Sequence, residues 1–114
     1  AAQASDVEGR FSELHAWIIE NIASDLRVDA LAAKAGMTPR TFARAYTSRT
    51  GMTPASGVEA LRVETARLLL ESGQVGGVVE VAKRAGFGDD ERMRRAFLRH
   101  LGVSPSEYRS RFSG

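Results

Sequence analysis

One stretch of this chain occurs twice within it. Val28-Asp29-Ala30-Leu31-Ala32-Ala33-Lys34-Ala35-Gly36-Met37 aligns with Val78-Val79-Glu80-Val81-Ala82-Lys83-Arg84-Ala85-Gly86-Phe87, the apolar positions and the glycine coinciding at an offset of 50. With one extra residue in the second turn the register continues at 51, placing Phe42 over Met93, Arg44 over Arg95, Tyr46 over Phe97, Gly51 over Gly102 and Thr53-Pro54 over Ser104-Pro105. Each copy reads as a short helix, a glycine-containing turn and a second helix. That is the helix-turn-helix pattern, whose second helix enters the major groove of a duplex. A single copy also fits a plain antiparallel helix pair in a bundle; two copies in register argue for two related units.

The remaining periodicity is helical, without the sustained alternation or Asn-Gly and Asp-Gly turns of a sheet. Phe11, Leu14, Ile18 and Ile22 mark a first helix near residues 10–23; Val58, Leu61, Thr65, Leu68 and Leu69 mark a long fourth one. Met93, Phe97 and Leu101 form the expected inner stripe of the sixth, and a short seventh follows Ser104. All three prolines follow a hydroxyl residue, as Thr38-Pro39, Thr53-Pro54 and Ser104-Pro105. Each pair reads as an N-cap followed by proline at the first helical position, where its missing N–H costs nothing. The glycines at 36, 51, 73, 86 and 102 supply stops or turns.

The expected fold is therefore all-α: seven helices, with two helix-turn-helix units joined by a long linker helix. Its divisions are an acidic flexible lead-in at 1–9, a first unit at 10–53, the linker helix at 54–72 and a second unit at 73–114. At ~1.5 Å per residue the linker spans roughly 28 Å, against about 34 Å between successive major-groove faces on one side of B-DNA. A spacer of that length suits two recognition helices in adjacent major grooves of a long, non-palindromic site.

Charge sharpens this. The whole chain carries a formal net charge of +2, yet residues 1–25 hold five acidic side chains and one basic, leaving fifteen basic and nine acidic in residues 26–114. Thirteen of those fifteen are arginine, whose planar fork suits phosphate and guanine. On the third helix Arg40, Arg44 and Thr47 lie away from Phe42 and Tyr46; on the sixth, Arg92, Arg95 and Arg99 lie away from the apolar stripe. Solvated surface charge is the alternative reading of each arginine, but Arg92, Arg94, Arg95 and Arg99 repel one another across a turn unless an anion joins them. Arg44 and Arg95, equivalent in the repeat, are expected to reach guanine O6 and N7, with Arg40, Thr41 and Arg92 as further groove contacts. Glu91 can accept from cytosine N4 or serve a solvated or capping role, and Asp89 and Asp90 are expected caps of the sixth helix. Thr38, Arg49 and Arg99 are the expected phosphate contacts, together with the backbone N–H groups that open helices three and six. Trp17 is expected in the core.

Other classes find little support. The chain has no cysteine, and its two histidines, His15 and His100, have no metal-ligand or triad spacing. Without strands there is no phosphate-cradling loop of the strand-to-helix kind. No catalysis, cofactor or metal is expected. No apolar run approaches the roughly 20 residues that span a bilayer, and the opening residues lack the blocks of a signal peptide. A soluble, cytoplasmic, nucleoid-associated protein is expected. The chain begins with alanine, so a preceding effector or dimerisation domain in a longer protein is also expected. The rival to DNA binding is a helical protein-interaction module whose basic sixth helix binds an acidic partner.

The repeat-bearing residues resemble a known family, the AraC/XylS-type transcription regulators. The similarity covers Val28 to Phe112 and is most specific in the second half: Val78-x-x-Val81-Ala82, Ala85-Gly86-Phe87, Arg95-Ala96-Phe97, and Leu101-Gly102-Val103-Ser104-Pro105-Ser106-Glu107-Tyr108-Arg109. Gly51-Met52-Thr53-Pro54 and Leu61-Arg62-x-Glu64-x-Ala66-Arg67-Leu68-Leu69 also match its pattern. The resemblance implies seven helices with helices three and six as DNA readers, and base-contacting positions at Arg40, Ala43, Arg44, Glu91, Arg92 and Arg95. A transcription regulator is expected, with duplex DNA and RNA polymerase as partners; activator is the expected class, but the sequence leaves activation and repression both open. The Arg-rich sixth helix and its ending look most like members whose N-terminal domain resembles glutamine amidotransferases. Three positions depart from the pattern: Arg27 and Gly77 stand where a Ser or Thr usually caps the second and fifth helices, and Ala43 stands where a polar reader is common.

Overall fold

The computed structural model describes residues 3–111. They form seven helices and no strand: α1 Gln3–Glu20, α2 Val28–Lys34, α3 Pro39–Thr50, α4 Pro54–Ser72, α5 Val78–Arg84, α6 Asp90–Leu101 and α7 Pro105–Ser110. None of them is long and apolar enough to cross a membrane. The all-α expectation and the helix count hold.

The proline-marked starts behave as capping chemistry requires. Thr38 Oγ1 accepts from Thr41 N at 3.2 Å, Thr53 Oγ1 from Ser56 N at 3.1 Å, and Ser104 Oγ from Glu107 N at 3.1 Å. Arg27 and Gly77 occupy the N-cap positions of α2 and α5 with no side-chain hydrogen bond, as expected where no capping side chain is present. α2 and α5 are related by an offset of 50, and α3 and α6 by 51. The inserted residue is Gly88, which adopts φ +86°, a left-handed conformation that glycine adopts without a Cβ penalty. It brings Asp89 into the N-cap position that Thr38 holds in the first copy.

Two compact units divide the chain: Ala1–Asn21 with Asp25–Val58, and Ile22–Ser24 with Glu59–Gly114. In the first, Phe11, Leu14 and Ile18 of α1 are buried with Leu31, Ala32, Phe42, Tyr46 and Val58. Phe11 meets Phe42 and Tyr46 edge-on, with ring centroids at 6.2 and 5.7 Å. His15 Nε2 lies 3.1 Å from Tyr46 Oη, and burial lowers its pKa from the ordinary 6.5. A depressed histidine pKa gives stability that is present above 6.5 and is lost as the pH falls through the folded-state value. Acidification below 6.5 should therefore destabilise this unit. Urea midpoints of wild type and His15→Gln across that range test this: equal pH slopes would remove His15 as the cause.

The second unit is built on Val63, Ala66 and Leu70 of α4, Val81, Ala82 and Ala85, Phe87, and Met93, Ala96 and Phe97, closed by Tyr108. Arg67 Nη1 donates to Glu71 at 2.6 Å and to Tyr108 Oη at 3.0 Å, and Tyr108 donates in turn to Glu71. Arg62 reaches the segment after α1, donating through Nε to the Ile22 carbonyl at 3.1 Å and through Nη2 to Ser24 at 2.9 Å. This explains why Ile22–Ser24 cluster with the second unit.

Several details differ from expectation. Residues 3–9, expected within a flexible lead-in, belong to α1; apolar periodicity starts only at Phe11, whereas a helix extends outward through its own backbone hydrogen bonds. The same helix stops at Glu20, where Asn21 turns its backbone N and its Nδ2 onto the Trp17 carbonyl at 3.0 and 2.9 Å. Trp17 is half-buried rather than core, with Lys34 Nζ 5.7 Å from its ring centroid. In α4 Val58 is buried as expected, but the other inner residues are Val63, Ala66 and Leu70, not Leu61 and Leu68, and Leu68 is 54% exposed. In α6, Ala96 is buried where Leu101 was expected, and Leu101 is 39% exposed. In both helices an alanine is buried and a leucine is left outside, a choice that hydrophobicity counts cannot make.

Candidate nucleic-acid interface

In α3, Phe42 and Tyr46 are buried, whereas Arg40, Thr41, Arg44, Thr47 and Arg49 are exposed. The i, i+4 spacing puts Arg40 and Arg44 on one face. Neither makes a hydrogen bond or ion pair among the described residues. Thr41 and Thr38 share the capping hydrogen bond at the start of the helix. Arg49 lies in the last turn, beside a shallow depression lined also by Phe11, Ser12, His15 and Thr50. Ala43 is half-buried.

α6 has a different electrostatic character. Met93, Ala96 and Phe97 are fully buried, and Glu91, Arg92, Arg94, Arg95 and Arg99 are exposed. Asp89 Oδ1 caps the helix by accepting from Arg92 N at 2.8 Å, and its Oδ2 lies 3.7 Å from Arg92 Nε. Glu91 accepts from Arg94 Nε and Nη2 at 3.0 and 2.7 Å and from Arg95 Nε at 3.1 Å. The Arg94 guanidinium, with Arg95 beside it, holds the Glu91 carboxyl down at about 2. Arg99 donates through Nε and Nη2 to the two oxygens of Glu59 at 3.0 and 2.8 Å, and His100 Nε2 lies 2.9 Å from the same carboxylate. The Arg99 pair lowers the Glu59 pKa against the opposing effect of partial burial.

The expected mutual repulsion of the α6 arginines is thus relieved inside the molecule. Asp89, Glu91 and Glu59 each hold at least one of them, so crowding of positive charge by itself does not demand an external anion. Glu59 was not singled out from the sequence. It lies 40 residues before Arg99, and no local spacing rule connects the two.

The site residues therefore gather in two sets. Thr38, Arg40, Thr41, Arg44 and Arg49 share α3 and its cap, and Glu91, Arg92, Arg95 and Arg99 share α6. Each set lies on the second helix of a helix-turn-helix unit, opposite that helix's buried residues.

A family described as "Helix-turn-helix domain" matches residues 31–111. The HTH-type transcriptional regulator Rv1931c of Mycobacterium tuberculosis is 44% identical over 87 residues, which are 76% of this chain and 33% of that protein. The HTH-type transcriptional activator RhaS of Salmonella arizonae is 32% identical over 106 residues, 93% of this chain and 38% of that protein. The chain thus spans about a third of the length of these relatives, a transcriptional regulator and a transcriptional activator. Among solved structures, the DNA-binding domain of the global transcriptional factor AdpA, in complex with a target DNA, superposes with a TM-score of 0.81 at 39% identity, covering 90% of this chain and 92% of that one. An AraC-type regulator structure from Chromobacterium violaceum shares the fold, with a TM-score of 0.84 at 23% identity over 93% and 94% of the two chains. The repeat, the two capped second helices and the match over residues 31–111 lead to one assignment: the chain belongs to the helix-turn-helix domain family.

Proposed function

We propose that this chain is the DNA-reading part of a transcription regulator, with α3 and α6 entering adjacent major grooves of a non-palindromic duplex site. One observation carries the reading: both second helices turn arginine-bearing, exposed faces away from a buried apolar side. The likeness to a domain crystallised on its target DNA supports it. So does the length of α4, whose 19 residues span roughly 28 Å at ~1.5 Å per residue.

Arg40, Thr41, Arg44, Glu91, Arg92 and Arg95 contact base edges in this reading. Thr38, Arg49 and Arg99 contact phosphates; Arg99, with Nε and Nη2 on Glu59, keeps Nη1 for that purpose. A separate domain of the full-length protein supplies effector binding or dimerisation, and RNA polymerase is the partner in activation, in the bacterial cytoplasm and at the nucleoid.

Selection of bound sequences from a random duplex pool, followed by titration of the winner at several salt concentrations, tests this. A bipartite, asymmetric site with half-elements about one helical turn apart is expected, with affinity falling steeply as salt rises. Absence of enrichment would overturn it in favour of an acidic protein partner. Within a selected site, Arg95→Ala should cost roughly 1 to 3 kcal/mol and relax the base preference locally, whereas Arg99→Ala should weaken all sequences alike and flatten the salt slope by about one unit. Equal losses on selected and random DNA for both variants would remove that division of labour.

A further inference from the structure

The arginines of α6 are held by carboxylates, and one of these pairs differs from the rest. Arg92 pairs with Asp89, and Arg94 and Arg95 with Glu91, all within the cap and first turns of the same helix. Among the described residues, Arg99 is the α6 arginine whose partner stands on another helix, Glu59 of α4. Both residues belong to the second unit. At the repeat offset of 51, Arg99 corresponds to Ser48, so α3 carries no arginine at this position.

Which edge of the guanidinium is held decides what remains. The group is planar and carries five N–H donors in a fixed fork. Glu59 takes the side-on edge, with Nε 3.0 Å from Oε1 and Nη2 2.8 Å from Oε2. The end-on edge is left, with both N–H groups of Nη1 and the second of Nη2, an arrangement that matches two oxygens of one phosphate. His100 Nε2 lies 2.9 Å from Oε1 of the same carboxylate, so Glu59 is gripped by two neighbouring side chains of α6. Glu59 is half-buried and Arg99 exposed, which shelters the acceptor and leaves the guanidinium open to a ligand. The hydrogen bond from Arg99 lowers the Glu59 pKa from its ordinary 4.5, and the carboxylate is ionised at neutral pH. An arginine free in solvent gives up rotamer freedom when it docks. Arg99 is already held in one orientation by the fold, and such pre-organisation favours binding.

Resting on the DNA-binding reading above, we propose that Glu59, on the linker helix, is a positioning residue for the DNA backbone: it holds the side-on edge of Arg99 so that the end-on edge meets one particular phosphate. A phosphate contact of fixed direction sets the register of α6 in its groove. Without Glu59, Arg99 remains a mobile charge, drawn to the polyanion with no preference for one phosphate over its neighbours.

The test uses the selected duplex, prepared as a series in which one backbone phosphate at a time is replaced by a neutral methylphosphonate. Wild type, Glu59→Gln, Arg99→Ala and the double variant are titrated on the series, with thermal unfolding as the folding control. Glutamine keeps the side-chain length but has one acceptor oxygen, its other terminal atom being a donor, so the two-point grip is lost. In wild type one replacement should weaken binding by roughly five- to tenfold, and in Arg99→Ala the same replacement should have no effect. In Glu59→Gln the effect at that phosphate should shrink to about twofold or less, and in the Arg99→Ala background adding Glu59→Gln should change nothing there. Glu59→Asp keeps the charge and withdraws it by one methylene; it should show the same shrinkage, which a purely electrostatic effect would not produce.

An undiminished effect at that phosphate, with tighter binding along the whole series, would reduce Glu59 to a surface charge that repels DNA. A uniform loss along the series together with a lower Tm would reduce it to a tie between two helices. Either result overturns the proposal. Should no replacement depend on Arg99, the phosphate role of Arg99 falls and the proposal with it, while sequence selection by wild type leaves the DNA reading standing. Wild type that selects no sequence would bring down that reading itself, an outcome visible before any variant is made.

Discussion

Gly86→Ala is expected to unfold the second unit or bring it close to unfolding, although it adds one methyl group. Gly86 sits at φ +91°, and a Cβ built there would lie 2.0 Å from the Ile22 carbonyl oxygen and 2.8 Å from Arg62 Nε. The first obstacle is conformational: a left-handed backbone costs a non-glycine residue roughly 1 to 2 kcal/mol. The second is steric, and the obstructing atom is backbone, so no side-chain rotation relieves it. The third is chemical. Arg62 Nε donates to that same carbonyl at 3.1 Å, and moving the Ile22 segment aside breaks a charged hydrogen bond worth roughly 1.5 to 3 kcal/mol. Together these amount to about 3 to 5 kcal/mol, a large share of the 5 to 15 kcal/mol that holds a domain folded. Chemical denaturation followed by circular dichroism reads the effect directly. A loss under about 1 kcal/mol would mean that the Ile22 segment gives way freely and that the Arg62 contact contributes little. Binding to a selected duplex should weaken along with folding, because α6 belongs to the same unit.

Gly57→Ala should destabilise the first unit by about 1 to 3 kcal/mol, the range typical of overpacking a filled core. The expected sign is the informative part. Gly57 lies inside α4, where glycine costs roughly 0.5 to 1 kcal/mol relative to alanine, so helix propensity alone predicts stabilisation. The structure reverses the sign, because the added Cβ would lie 2.0 Å from Tyr46 Oη and 2.7 Å from Cζ. Tyr46 has no room to retreat: it is 2% exposed, packed against Phe11 and Phe42, and paired with His15. Combining Gly57→Ala with Tyr46→Phe should recover part of the loss, since the nearest atom is removed while the ring remains. Urea denaturation of the four proteins in this cycle measures the coupling. A more stable Gly57→Ala protein, or purely additive effects, would show that the ring and the helix do not touch in solution.

These two glycines illustrate what could be read from the chain and what could not. Gly86 was legible as a turn, since it ends an apolar pattern that the earlier copy repeats at Gly36, but its contact with the Ile22 carbonyl joins residues far apart in sequence. Gly57 carried no local signal at all. The proline-led caps were legible because Thr38, Thr53 and Ser104 act on backbone only three residues away. The arginine-bearing faces of α3 and α6 were legible because helical period and apolar spacing decide which side is buried. The ion-pair pattern of α6 was half legible: Glu91 lies within one turn of Arg94 and Arg95, yet the choice of both as partners depends on side-chain conformation. Glu59 was not legible, nor was the exposure of Leu68 and Leu101.

The sequence by itself determined the all-α class, the repeat at offsets of 50 and 51, the helix starts and the arginine-bearing faces, because each follows from interactions within a turn or two of chain or from a pattern occurring twice. Only the tertiary structure decided that Gly86 lies against the Ile22 carbonyl, where Arg62 and Arg99 find their carbonyl and carboxylate partners, and that Arg40 and Arg44 stand without a carboxylate among the described residues while Arg95 holds one. Those outcomes depend on close packing and on charges brought together from distant parts of the chain. Neither composition nor period encodes such distances.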